Sequence, residues 1–134
     1  MNTSKHAFVA MWFDSQNDNA WGKISKAIRD CGYNPMRIDK KEHNNQIVPE
    51  ILFEIRQSDF IVADLTGNRN GVYYEAGYAQ ALGKEVIVTW KKTDEEEDQP
   101  HFDVAQKNMI RWDSEDELYE ALVKRIKATV GVSE

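Results

Sequence analysis

A single cysteine, Cys31, stands among 134 residues, so no disulfide can close within the chain. That fits a reducing, cytoplasmic setting, and Cys31 itself falls on an apolar helical stripe where a buried, inert thiol is expected. Cations are in the minority: 17 Lys and Arg against 23 Asp and Glu give a formal net charge of -6. Binding a phosphate backbone needs clustered Lys and Arg, so no nucleic acid partner is expected. No apolar run approaches the ~20 residues that cross a bilayer. The opening residues, Met-Asn-Thr-Ser-Lys-His, lack the small-residue cleavage pattern of a signal peptide, so neither membrane nor export is expected. The three histidines, His6, His43 and His101, are scattered without metal-ligand spacing, and no metal is expected. There is no P-loop, dinucleotide fingerprint or Gly-x-Ser-x-Gly elbow, so no cofactor is expected either.

What remains is an ordinary globular composition of one-domain length, 1–134, with enough apolar residues for a real core. Ala7 to Phe13 is a continuous apolar run, as in a central parallel strand covered on both faces. Trp21, Ile24, Ile28 and Cys31 recur at helical spacing, and Gly32 stands where a helix-ending glycine belongs. Asn34 to Asp39 predicts a second, weaker strand. Ile47, Ile51, Leu52 and Ile55 mark the next helix, with Pro49 tolerable only in its first turn. Phe60 to Ala63 is a third strand ending in Asp64, and Val86 to Trp90 a fourth. Between them lie a polar loop, Thr66 to Gly71, and a small-residue helix carrying Glu75 and ending at Gly83. Residues 94–98 form an acidic run, read as a solvated loop. Met109 to Trp112 is a last short strand, and Ser114 with Glu117 forms a capping box for a helix with Leu118, Leu122 and Ile126 on its stripe. Alternating strands and helices predict a three-layer α/β domain with a five-stranded, mainly parallel sheet, flavodoxin-like or Rossmann-like in order.

In such sheets ligands bind beyond the carboxyl ends of the strands, which places Asp64 and Glu75 at the functional rim. An acid near a helix start is kept ionised by the helix dipole, which suits Glu75 as a nucleophile. Asp64, at a strand end, is suited to hold a hydroxyl or pass a proton. Two carboxylates with separate tasks are what glycosidic cleavage uses. The plainer reading makes Asp64 a loop cap and Glu75 a solvated first-turn acid. Against it, Glu75 lies beside Ala76 and Gly77, near a close-packed face. The loop Asn68-Arg69-Asn70-Gly71 is also dense in hydrogen-bonding groups, as a site for a sugar or base would be.

Asp64-Leu65-Thr66-Gly67, followed by Gly71-Val72-Tyr73-Tyr74-Glu75-Ala76-Gly77-Tyr78-Ala79-Gln80-Ala81-Leu82-Gly83-Lys84, resembles the signature of the nucleoside 2-deoxyribosyltransferase family. The opening strand and the placement of Ile38-Asp39 are similar as well, so the likeness spans most of residues 7–90. The resemblance implies Glu75 as nucleophile and Asp64 as an assisting active-site acid. It further implies substrate contacts from Asp39, Gly67, Asn68, Asn70 and Gly71, and base contacts from Met11, Trp12 and Phe13. Core packing is the competing reading for all three, weightiest for Met11, while Trp12 and Phe13 at the strand's exit suit stacking on a base. Family members assemble as homo-oligomers in which a neighbour completes the pocket, for which Asn108 is the candidate here. The implied partner is a nucleoside or nucleotide. The sequence departs from the phosphate-binding members: Trp12-Phe13-Asp14-Ser15-Gln16-Asn17 has no glycine and carries an acid, so a 5′-phosphate is repelled there. Arg69 is the nearby cation that could meet one, and is otherwise a solvated surface residue. Three functions fit these residues: N-glycosidic cleavage or deoxyribosyl transfer through a glutamyl-sugar intermediate, NAD cleavage by a Toll/interleukin-1-receptor-like domain, or a non-catalytic nucleotide-binding signalling module.

Overall fold

The computed structural model describes residues 5–38, 49–95, 99 and 108–132. Asp39, His43, His101 and part of the acidic run, 96–98, lie outside the described residues. Five strands, β1 (His6–Ala10), β2 (Asn34–Met36), β3 (Phe60–Asp64), β4 (Glu85–Lys91) and β5 (Ile110–Trp112), alternate with helices α1 (Asp18–Asp30), α2 (Pro49–Gln57), α3 (Asn70–Ala81) and α4 (Glu115–Thr129). The strands form one sheet in the order β2-β1-β3-β4-β5, every pairing parallel. This is the flavodoxin-like order.

β3 is the middle strand, and all five of its residues are buried. Its alternation sorts the core into two layers. Phe60 and Val62, with Ala7, Val9 and Ile87, face Ile24 and Ile28 of α1 and Leu118, Leu122 and Ile126 of α4. Ile61 and Ala63, with Phe8, Ala10 and Val88, face Ile51 and Ile55 of α2 and Val72, Ala76 and Ala79 of α3. A strand covered on both faces has no polar side to show, which is why β1 and β3 read as unbroken apolar runs. Each of the Val, Leu, Ile and Phe side chains among them contributes roughly 1.5–3 kcal/mol by leaving water.

The helix ends follow local chemistry. Ser114 accepts a hydrogen bond from the Glu117 N–H at 3.2 Å, while the Glu117 carboxylate accepts from the Asp113 N–H at 2.7 Å, a capping box displaced by one residue. Gly32, at φ +90, closes α1 with the Tyr33 N–H donating to the Ile28 carbonyl.

Two strands are shorter than the sequence suggests. β1 ends at Ala10 rather than Phe13, and β2 at Met36 rather than Asp39. After Met11 the backbone leaves the sheet because polar contacts capture it. The Asp14 side chain accepts from the Gln16 N–H at 3.1 Å and caps a single 3₁₀ turn, Ser15–Asn17, and the Asn17 amide donates to the Trp12 carbonyl at 3.2 Å. The capping acid is therefore Asp14, whereas Asp18 and Asn19 fall inside α1. Trp12 and Phe13 thus sit on the loop beyond the sheet's carboxyl edge, where a site-forming residue has to be.

Candidate active site

The strand order reverses direction between β1 and β3: from β1 the chain steps outward to β2, then back across to β3. Ligands in open α/β sheets bind in the crevice beyond the strands at this switch point. A cleft of about 550 Å³ opens there. Trp12 and Gln16 line it from the β1 loop, Thr66, Gly67 and Arg69 from the β3–α3 loop, and Trp90 to Thr93 from the end of β4.

The β3–α3 loop is shaped by backbone geometry. Gly67 takes φ +87 and Asn68 takes φ +52, with the Asn68 N–H donating to the Leu65 carbonyl at 2.9 Å. Glycine at 67 also lets Trp12 approach: a Cβ there would lie 2.4 Å from Trp12 Cε3. The Arg69 guanidinium stands 4.0 Å from the centre of a Trp12 ring. Asn68 accepts from the Tyr73 hydroxyl and donates its amide to the Gln99 carbonyl at 2.6 Å, tying the loop to α3 and to the segment after β4. Phe13 goes elsewhere. The Arg37 guanidinium lies 4.3 Å from the Phe13 ring centre and 4.4 Å from that of Trp21, so Phe13 is stacked on a cation. Of the two predicted base-stacking aromatics, Trp12 lines the cleft and Phe13 does not.

Asp64 and Glu75 are both deeply buried, at 2% and 0% exposed, and they belong to opposite layers. Asp64 continues the Phe60–Val62 face towards Trp112, in the α1–α4 layer. Its oxygens accept from the Thr66 N–H at 3.0 Å, the Trp112 indole N–H at 3.2 Å and the Thr89 hydroxyl, and the Thr66 hydroxyl also bonds to it. A carboxylate offers roughly four acceptor positions, and four protein donors supply them. Burial pushes the Asp64 carboxyl above its ordinary pKa, and the hydrogen bonds from Thr66, Thr89 and Trp112 partly offset this.

Glu75 lies in the second turn of α3 rather than the first, where the dipole argument loses most of its force. It shares the sheet-facing stripe with Val72, Ala76 and Ala79, in the layer opposite Asp64. Such a stripe ordinarily holds apolar residues, so a carboxylate there calls for a role beyond packing. Asn70 and Gly71 form the first residues of α3. Asn108 is exposed at the start of β5 and borders a separate groove with Lys84, Glu85 and Arg125, towards the amino ends of β4 and β5, far from the rim. It takes no part in this chain's rim site.

The cleft also takes in Trp90, which the sequence shows only as the end of a strand, and Lys91 and Lys92, which sequence reasoning misses. The visible signal was the change from apolar to basic at the carboxyl end of β4. Among the described residues no cluster of His, Cys, Asp and Glu could hold a metal, and no helix is long and apolar enough to cross a membrane.

Among solved structures, a 2-desoxiribosyltransferase from Leishmania mexicana is 19% identical with a TM-score of 0.61, covering 93% of this chain and 98% of that one. The Clostridium botulinum CMP N-glycosidase BcmB is 18% identical with a TM-score of 0.60, covering 88% and 98% respectively. A diflavin flavoprotein A3 from Nostoc sp. aligns at 15% identity and a TM-score of 0.51, over 92% and 88%. At such identities these likenesses speak for the fold. No curated protein matches the sequence. The family description "Nucleoside 2-deoxyribosyltransferase" matches residues 8–128, nearly the whole chain. The chain belongs to the nucleoside 2-deoxyribosyltransferase family.

Proposed function

We propose that this domain breaks the N-glycosidic bond of a nucleoside or nucleotide, with Glu75 as the nucleophile. A Glu75 oxygen attacks the anomeric carbon as the carbon–nitrogen bond breaks. The bonding pair leaves with the base, which takes up a proton, and a glutamyl-sugar ester remains. Attack by water or by a second base at the same carbon then frees Glu75 and gives hydrolysis or transfer. The observation that carries this reading is the 0% exposure of Glu75 on a helix stripe otherwise made of Val72, Ala76 and Ala79. Family membership supplies the reaction class.

Asp64 has a supporting part in this reading. Its carboxylate, engaged by Thr66, Thr89 and Trp112, braces the ends of β3, β4 and β5 and so fixes the loop that leads into α3. It acts as a positioning residue.

Free base released from a panel of ribo- and deoxyribonucleosides and their 5′-monophosphates, followed by chromatography, tests the reaction. Glu75→Gln is expected to lower the rate by at least ~3 orders of magnitude, as loss of a covalent nucleophile should. A variant within tenfold of the parent rate would end the assignment. Intact-mass measurement during turnover of a slow substrate is expected to detect a sugar adduct that Glu75→Gln does not form.

A further inference from the structure

We propose that the rim cleft between the β1 loop, the β3–α3 loop and the end of β4 is a phosphate site, which makes the ligand a nucleotide rather than a nucleoside. The nucleoside part of this statement rests on the reading above; the phosphate part rests on the cleft alone.

The chain is acidic overall, yet among the described residues the charged ones lining the cleft are Arg69, Lys91 and Lys92, all positive. Asp94 and Glu95 follow directly in sequence without lining it. Arg69 and Lys91 have no carboxylate partner among the described residues; they lie over the Trp12 and Trp112 rings. Lys92 reaches Asp113 only at 3.4 Å, in an ion pair open to solvent on both sides, which is worth little and is readily exchanged. The cleft thus offers cationic groups to an anion, with no carboxylate among its described lining residues.

The anion best matched is a phosphomonoester. It carries about -1.5 to -2 charges and three acceptor oxygens, enough for a guanidinium fork and two ammonium groups. A carboxylate, with one charge and two acceptor oxygens, would offset less of that positive charge. Gln16 and Thr93 add polar groups to the lining, and Trp12 and Trp90 give it apolar walls. At about 550 Å³ the cleft has the size of a small-molecule site and exceeds what an isolated inorganic ion would fill. It also stands at the start of α3, whose N-cap residue, Arg69, has no side-chain cap hydrogen bond. The helix dipole therefore adds to the cationic field. The acid-bearing β1 loop need not carry the phosphate, because β4 and the β3–α3 loop supply the charge from the other side.

The test is equilibrium binding of the four common ribonucleoside 5′-monophosphates to the full chain, each against its own nucleoside, at low and at physiological salt. At least one monophosphate is expected to bind about tenfold or more tightly than its nucleoside, with the advantage shrinking as salt rises. Inorganic phosphate is expected to displace it. Arg69→Gln with Lys91→Gln should erase the advantage. Because Arg69 also stacks on Trp12, Lys91→Gln alone is the second variant, expected to remove part of the advantage with an unchanged melting curve. Equal binding within every pair, no binding at all, or an advantage that survives both variants would overturn the site. Base release in the same mixtures is scored separately. A phosphate advantage without base release ends the glycosidic reading and keeps the site. Base release from nucleosides with no phosphate advantage does the reverse.

Discussion

Asp64 and Gly67, three residues apart, organise the rim by opposite means: one by a carboxylate that gathers donors, the other by having no side chain. In Asp64→Asn one oxygen becomes an amide nitrogen facing donors, and the Trp112 indole N–H, which cannot turn round to accept, loses its partner. The cost is expected at about 1–3 kcal/mol at neutral pH, read from denaturant midpoints. The pH dependence has a defined sign. Burial holds the folded pKa of Asp64 above its ordinary value of 3.8, so the folded state takes the proton more readily than the unfolded chain. The parent therefore gains stability as pH falls through that raised pKa, and the gain is complete below about 3.8. Asp64→Asn lacks this component, so the gap between parent and variant should widen with acidification; a constant gap would contradict the burial argument. Gly67→Ala would set a methyl 2.4 Å from Trp12 Cε3 at φ +87. It is expected to cost about 1–3 kcal/mol and to alter tryptophan emission as Trp12 shifts. The sequence made both acids visible as rim candidates. It hid the direction Asp64 takes, because that depends on Trp112, 48 residues further along.

Helix α3 carries Glu75, the proposed nucleophile, and its own sequence is a weak helix former. Gly71, Val72, Tyr73, Tyr74 and Gly77 all have lower propensity than alanine, and no acid stands in the first turn. The helix is held from outside, by Ala76 and Ala79 pressed on the sheet. The small-residue run Ala76, Gly77, Ala79, Ala81 reads as one close-packed face, but only part of it is. Ala81 is exposed, and a Cβ built on Gly77 meets nothing within 4 Å. Gly77→Ala is thus expected to stabilise the protein by about 0.5–1 kcal/mol, through helix propensity and a less flexible unfolded chain. A rise in thermal midpoint checks it, and a fall would mean that the space is needed. This helix is legible in the sequence as a small-residue run between a polar loop and Gly83, not from its periodicity, which is weak. Which small residues touch the sheet depends on its rotation, which small residues on both sides leave undefined in the sequence. Strand ends were the least legible: the run Ala7 to Phe13 continues past Ala10 in hydropathy, and it is the Asp14 and Asn17 hydrogen bonds that stop the strand.

For the molecule as a whole, alternation of strands and helices predicts the parallel three-layer sheet but leaves the strand order open, and the rim cleft follows from the order found, β2-β1-β3-β4-β5. The two strands at the margins are each only three residues long. In β2 the Asn34 N–H donates inward to the Lys5 carbonyl at 2.7 Å, so the next residue, Pro35, turns its backbone outward, and proline has no hydrogen there to offer. A foreign strand arriving at that border would find an acceptor without the matching donor, over a length too short to seat it. Growth of the sheet from one molecule into the next is thereby blocked at β2, and a lasting union on that side of the molecule has to be made through helices and loops.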